Sequence, residues 1–182
     1  MEKETNKFLD DLRQGKPAAQ LRLLNDQGPM VFRLVSRMVG RHEDAEEVYQ
    51  DVFVKAFTKI STFDFKKASL ATWLRRIAYN ESVNHLRKSR MNLVLLDDNE
   101  LEAAYEDMYV APRQDELNIL FLEKAMTLLP VADQTLLSLF YNENMSLQEI
   151  AYVVDSIPAT VGSRLSRIRR KLYHLIKQFS EK

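Results

Sequence analysis

From Ala45 to Ile60 the apolar residues Ala45, Val48, Tyr49, Val52, Phe53, Ala56, Phe57 and Ile60 recur at spacings of three and four without a break. At about 100° per residue that rhythm gathers them into one stripe of a helix; a strand, whose faces alternate with period two, does not suit it. The same spacing returns in Val31, Leu34, Val35, Met38 and Val39, and in Leu70, Trp73, Leu74, Ile77 and Leu86. It returns again in Leu117, Leu120, Phe121, Ala125, Leu128 and Leu129, and in Ile157, Val161, Leu165, Ile168, Leu172 and Leu175. Only four Gly and five Pro interrupt 182 residues, well below the roughly 12% of average usage. The expected fold is therefore all-α.

Punctuation sets the expected elements. Short helices are read over Thr5 to Gln14 and Ala18 to Asp26, with Gly28-Pro29 as a break before a third helix that Gly40 ends. A helix from His42 to Ile60 leads into the loop Ser61 to Ser69, and the next helix spans Leu70 to Arg90. Met91 to Ala111 lacks helical period, and an unstructured segment of about 20 residues is unusual within one compact domain. Two domains follow, 1–90 and 112–182, joined by a linker at 91–111. Pro112 and Pro130 each open a helix, the second reaching about Tyr141. Ser146-Leu147-Gln148-Glu149 is a capping box flanked by the staple pair Met145 and Ile150. Its short helix, a turn at Asp155-Ser156 and a long helix from Ile157 to Phe179 make a helix-turn-helix.

The net charge is zero but unevenly laid out. Residues 66–90 hold seven Lys/Arg against Glu81 alone, and residues 162–182 hold seven against Glu181 alone, whereas 97–116 is acidic with a single Arg113. Two polyanion-binding surfaces describe this pattern better than a neutral enzyme does. In the linker, Asp97, Asp98, Glu100 and Glu102 could lie over the basic surfaces within a Debye length of about 8 Å.

On the Leu70 to Arg90 helix, Arg76, Asn80, Asn84 and Arg87 line one side, followed by Lys88: cations for phosphates, and amides that can pair with a base edge. A solvated surface is the plain alternative. In the preceding loop Phe63 and Phe65 stand beside Lys66 and Lys67; such rings either stack unpaired bases or cap the core. The acids Glu43, Asp44, Glu46, Glu47 and Asp51 are either ordinary helix chemistry or a patch for a basic partner. On the last helix Ala159, Thr160, Gly162, Ser163, Ser166, Arg167 and Arg170 are expected to face outward. Small polar groups there can meet base edges, and Arg164, Arg167, Arg169, Arg170 and Lys171 can reach phosphates. Gly162, the one glycine placed within a helix, either allows close backbone approach to DNA, the preferred reading, or is tolerated drift that merely weakens the helix there.

DAEEVYQDVFVKAF at 44–57, TWLRRIAYN at 72–80 and HLRK at 85–88 together resemble region 2 of bacterial RNA polymerase σ factors of the extracytoplasmic-function group. EIAYVVDSIPATVGSRLSRIRRKL at 149–172 resembles region 4 of the same family. The resemblance implies a σ region 2-like domain and a region 4-like helix-turn-helix domain joined by the acidic linker. It implies that Asp44, Glu47, Gln50, Asp51 and Phe53 contact core RNA polymerase, whose β′ clamp helices and β subunit are the family's docking points. Phe63, Phe65, Lys66, Arg76, Asn80, Asn84, Arg87 and Lys88 would hold the melted −10 strand, and Ala159, Thr160, Gly162, Ser163, Arg164, Ser166, Arg167 and Arg170 would read the −35 duplex. Promoter DNA and an anti-σ factor are the further implied partners.

Other classes fit poorly. His42 and Glu46, at i, i+4, are the one candidate metal pair, and two ligands define no site. There is no Gly-rich phosphate loop, nucleophile elbow or paired catalytic acid, so no enzyme, metal or cofactor is expected. No apolar run reaches the ~18 residues of a membrane span and no export signal opens the sequence. Together with the lack of Cys, this fits a cytoplasmic protein. The alternative function is a polymerase-independent helix-turn-helix regulator with an N-terminal sensing or dimerisation domain. The TWLRRIAYN helix speaks against it, since a sensor needs no basic, amide-rich face beside an aromatic loop.

Overall fold

A computed structural model describes residues 2–93 and 114–180, and every regular element among them is helical. The acids at 97–107 and Pro112 lie outside the described residues. The N-terminal domain comprises α1 (Glu2–Arg13), α2 (Pro17–Val39), α3 (His42–Lys59) and α4 (Leu70–Leu93), with a 3-10 turn at Ile60–Thr62. The stripe of α3 packs against α2 and α4, burying Val48 and Val52 with Val31, Val35 and Leu74 at 2% exposure or less. Ser69 opens α4: its hydroxyl accepts from the Thr72 amide at 3.1 Å, satisfying a donor that a helix start leaves unpaired. α4 continues past the expected Arg90 to Leu93.

One helix, α2, replaces the two expected on either side of Gly28-Pro29. A proline inside a helix ordinarily costs about 3 kcal/mol, and packing around Gly28 offsets that cost. A Cβ at Gly28 would lie 2.6 Å from the Tyr49 hydroxyl. The bare glycine lets the Tyr49 ring of α3 come against α2, where it meets Phe32 edge-on at 5.8 Å and Phe53 at 5.0 Å. Burial raises the Tyr49 phenol pKa. Gly28 is thus a second glycine inside a helix, and its signal was that of a break only in the absence of its partner ring. Gly40, at φ 86°, ends α2 as expected, its amide donating to Ser36 O at 3.1 Å.

The C-terminal domain comprises α5 (Gln114–Thr127), α6 (Val131–Leu137), α7 (Leu147–Val153) and α8 (Pro158–Ser180). α6 widens into a π turn at Ser138–Asn142, closed by the Glu143 amide on Ser138 O at 3.1 Å. The capping box forms: Glu149 N donates to Ser146 Oγ at 3.3 Å and Ser146 N to Glu149 Oε2 at 2.9 Å. Met145 and Ile150 are both buried beside it. α8 buries Val161, Leu165, Ile168 and Leu172. Ile157 was expected to join them but is 63% exposed, because it precedes the first turn of α8 and helical spacing does not carry it inward. Leu120 on α5 and Leu128 just past its end were also read as core and are 53% and 54% exposed. That helix packs chiefly on α8, with Ala125 buried and the Phe121 ring against Phe179, which leaves its other apolar positions open.

The two domains touch, α4 lying against α7 and α2 against α6.

Candidate nucleic-acid interface

A cleft of about 390 Å³ lies where α3, the 61–69 loop, α4 and α7 meet. Lys55, Lys59, Lys67 and Arg76 give it a cationic rim, and Trp73 and Asn80 stand on its α4 wall. Asp64 and Glu81 temper that charge; Lys55 donates to the Glu81 carboxylate and so is held in place. Lys55 and Lys59 escaped the sequence reading because they sit on α3, whose pattern directed attention to its acidic side. The signal that could have found them is their i, i+4 spacing, which puts both on one side of that helix.

The two loop aromatics part company. Phe63 is only 6% exposed, its ring 5.5 Å from that of Trp73, so it belongs to the core and offers no free face to a base. Phe65 is 66% exposed. The exposed Lys66 donates its amide to Asp64 Oδ1 at 2.9 Å, a local turn that presents the loop tip. Beyond the cleft, Asn84 is half-buried, while Arg87 and Lys88 are exposed. Arg76 turns towards the other domain, with Nη2 2.8 Å from Asp155 Oδ1 and its guanidinium 4.8 Å from the centre of the Tyr152 ring.

Elsewhere along α3 Glu47, Gln50 and Asp51 are exposed, and Val54 joins them at 63% exposure. Phe53, read with this group, is 3% exposed and packs between Tyr49 and Phe57 instead. Asp44 is half-buried at the start of α3, 3.7 Å from His85 Nε2 and 3.9 Å from Arg41 Nε. His42 lies 3.2 Å from Glu46, the spacing that suggested a metal pair.

In the C-terminal domain Ala159, Thr160, Ser163, Arg167 and Arg170 are exposed on α8, and Ser166 is half-buried. Arg164, expected to reach a phosphate, is engaged within the chain: its Nε and Nη2 lie 2.9 and 2.8 Å from Asp133 Oδ1, tying α8 to α6. Gly162 is half-buried facing α7, where an added Cβ would meet Leu147 Cδ1 at 3.5 Å, an ordinary contact. Close approach to DNA therefore does not account for it. The Glu149 carboxyl is held below its ordinary pKa by hydrogen bonds from the Ser146 backbone and side chain, with Arg75 adding a smaller effect. Tyr79, pushed up by burial and drawn down by Arg164, sits where the two domains approach.

Residues 23–91 match the family Sigma-70 region 2, and residues 122–172 match Sigma-70, region 4. The chain belongs to the sigma-70 family, in its extracytoplasmic-function group. It is 30% identical to the RNA polymerase sigma-H factor of Pseudomonas aeruginosa over 78% of each chain. To the extracytoplasmic-function factor SigW of Bacillus subtilis it is 26% identical, over 94% of this chain and 96% of that one. Its fold is shared with the sigma factor RpoE of Bartonella quintana, solved in complex with the anti-sigma factor NepR. That match has a TM-score of 0.65 at 24% identity, covering 86% of this chain and 95% of that one. CnrH, solved with the cytosolic domain of CnrY, matches with a TM-score of 0.64 at 20% identity over 94% and 96%. The protein is a σ factor, which directs promoter-specific initiation by RNA polymerase; the regulator alternative falls, since both domains of this chain match σ regions.

Proposed function

We propose a division of labour among three surfaces of this σ factor. The cleft beside α4, with Arg76, Asn80, Trp73, the flanking Lys residues and Phe65, holds the melted −10 strand. Its rim neutralises phosphates while Asn80 offers both a donor and an acceptor to an unpaired base. Asn84, Arg87 and Lys88 extend the path along α4. The exposed side of α8, with Thr160, Ser163, Arg167 and Arg170, enters the major groove of the −35 duplex. The polar stripe Glu47, Gln50 and Asp51, with Val54 at its centre, docks on the β′ clamp helices of core polymerase.

The observation that carries this reading is the separation of the surfaces: a cleft with an exposed aromatic beside it on one domain, and a helix with outward small polar residues and Arg on the other. The cleft suits an unpaired strand and the helix suits a duplex. The domains are taken as 1–90 and 112–182, with 91–111 between them. The chain carries no catalytic step of its own and acts in the cytoplasm with its polymerase; among the described residues no helix is long and apolar enough to cross a membrane. An anti-σ factor is a further partner. The sigma factor RpoE of Bartonella quintana was solved bound to one, and this chain has an apolar groove of about 730 Å³ between α2, α5, α6 and α8.

Single substitutions test the division. Asn80→Ala impairs strand opening at a promoter while leaving duplex binding by the C-terminal domain intact, and Val54→Asp weakens binding to core polymerase without changing either. Equal loss of duplex affinity from Asn80→Ala would show that the melted strand lies elsewhere.

A further inference from the structure

We infer that Asp133 is a specificity-determining residue of the duplex reader: its carboxylate holds the Arg164 guanidinium off the DNA and so keeps sequence-independent affinity low. Asp133 acts through Arg164 as a positioning residue, a role that rests on the assignment of α8 to the −35 duplex.

Arg164 stands in the row that faces the duplex. Positions 160, 164, 167 and 171 are spaced by four, three and four, so Thr160, Arg164, Arg167 and Lys171 run along one side of α8. The other three are exposed, whereas Arg164 turns Nε and Nη2 onto the single oxygen Asp133 Oδ1, at 2.9 and 2.8 Å. Arg164 is also the one cation among residues 158–166, the half of α8 whose exposed Ala159, Thr160 and Ser163 can meet base edges. Arg167, Arg169, Arg170 and Lys171 all follow it. A free guanidinium in that first half would grip any phosphate within reach, which adds affinity and carries no sequence information.

The corner between α5 and α6 builds the place of the carboxylate. Asp133 lies in the first turn of α6, where its amide donates to Pro130 O at 2.8 Å. Beside it Gln134 Nε2 donates to Leu129 O at 2.9 Å and the Thr135 hydroxyl to Val131 O at 2.8 Å. The Asp133 side chain is 19% exposed and that of Arg164 37%. A DNA phosphate therefore competes with a carboxylate already fixed in position, and the partly exposed guanidinium can make the exchange once that charge is gone. On the native element base contacts fix where α8 lies, and a freed Arg164 adds only what that register allows. On any other duplex α8 can settle wherever the guanidinium finds a phosphate, so release helps the wrong sequence more than the right one.

Titrations of the full chain over a series of salt concentrations test this, with a duplex carrying a −35 element recovered by run-off transcription and with a scrambled copy. Asp133→Asn, which keeps the shape and removes the charge, should bind the scrambled duplex about three- to tenfold more tightly at low salt. Its salt slope should be steeper by about 1, as one added phosphate contact requires, and the ratio of native to scrambled affinity should fall. Adding Arg164→Gln should return the slope to the wild-type value. Arg164→Gln alone should leave that slope unchanged, whereas Arg167→Ala lowers it by about 1; this comparison carries the test should Asp133→Asn unfold. A pair that only braces α8 would give Asp133→Asn a lower melting temperature and weaker binding to both duplexes. That result, an unchanged slope or ratio for Asp133→Asn, or a lower slope for Arg164→Gln alone, overturns the role of Asp133 and leaves the duplex assignment standing. If Arg167→Ala leaves the slope unchanged, α8 is not the duplex reader, and the role of Asp133 falls with that assignment.

Discussion

The two glycines inside helices should respond to alanine with opposite signs. In a helix interior Gly→Ala by itself stabilises by about 0.5–1 kcal/mol. At Gly162 the new Cβ meets Leu147 Cδ1 at 3.5 Å, an ordinary contact, so that gain is kept. At Gly28 the Cβ falls 2.6 Å from the Tyr49 hydroxyl, and the ring is braced by Phe32 and Phe53. Overpacking of this kind costs about 1–3 kcal/mol, which leaves a net loss of roughly 0.5–2 kcal/mol after the helix gain. Tyr49→Phe removes the offending oxygen, and the next nearest atom is Tyr49 Cζ at 3.7 Å. Gly28→Ala with Tyr49→Phe should therefore recover most of the loss. Trp73, the only tryptophan, reports the N-terminal domain from its place against Phe63, so urea unfolding followed by its fluorescence measures Gly28→Ala, and far-UV circular dichroism follows Gly162→Ala. A Gly28→Ala chain as stable as the wild type, or a double variant no better than Gly28→Ala, would refute the close approach of Tyr49 to α2.

Phe63→Ala should destabilise the N-terminal domain by about 3–5 kcal/mol, the cost of a large core truncation; Phe65→Ala should change stability by less than about 0.5 kcal/mol and weaken strand binding by about 1–3 kcal/mol. Urea melts and oligonucleotide titrations separate the two. Arg167→Ala or Arg170→Ala should lower the salt slope of duplex binding by about 1, whereas Arg164→Ala should loosen α8 from α6 and show in the melt. Ser146→Ala should cost the C-terminal domain about 1 kcal/mol of cap stabilisation. Because the folded Glu149 carboxyl has a lowered pKa, its contribution is fully present above the unfolded-state value. It is lost as pH falls through the folded one, so Glu149→Gln should flatten the acid limb of the stability curve.

Local signals were the legible ones. The α3 stripe, the capping box at Ser146 and the glycine end of α2 each depend on residues within two turns, and periodicity and cap chemistry expose them directly. What escaped depends on contacts distant in sequence. Gly28-Pro29 reads as a break until Tyr49, on the next helix, is seen to need the space. Phe53 and Phe63 have the composition of contact residues and the burial of core ones, a distinction that period alone does not draw. Arg164 lies among outward-facing positions yet finds Asp133 on α6, and Arg76 finds Asp155 on the other domain. Charge counting marked both arginines as available for DNA; geometry engages both within the chain.

The central claim, that this chain confers promoter choice on RNA polymerase, is tested most directly by genomic run-off transcription with purified core polymerase, with and without the chain. The account predicts initiation from a defined set of sites sharing −10 and −35 elements, present only when both are supplied. Transcripts identical with and without the chain would contradict it.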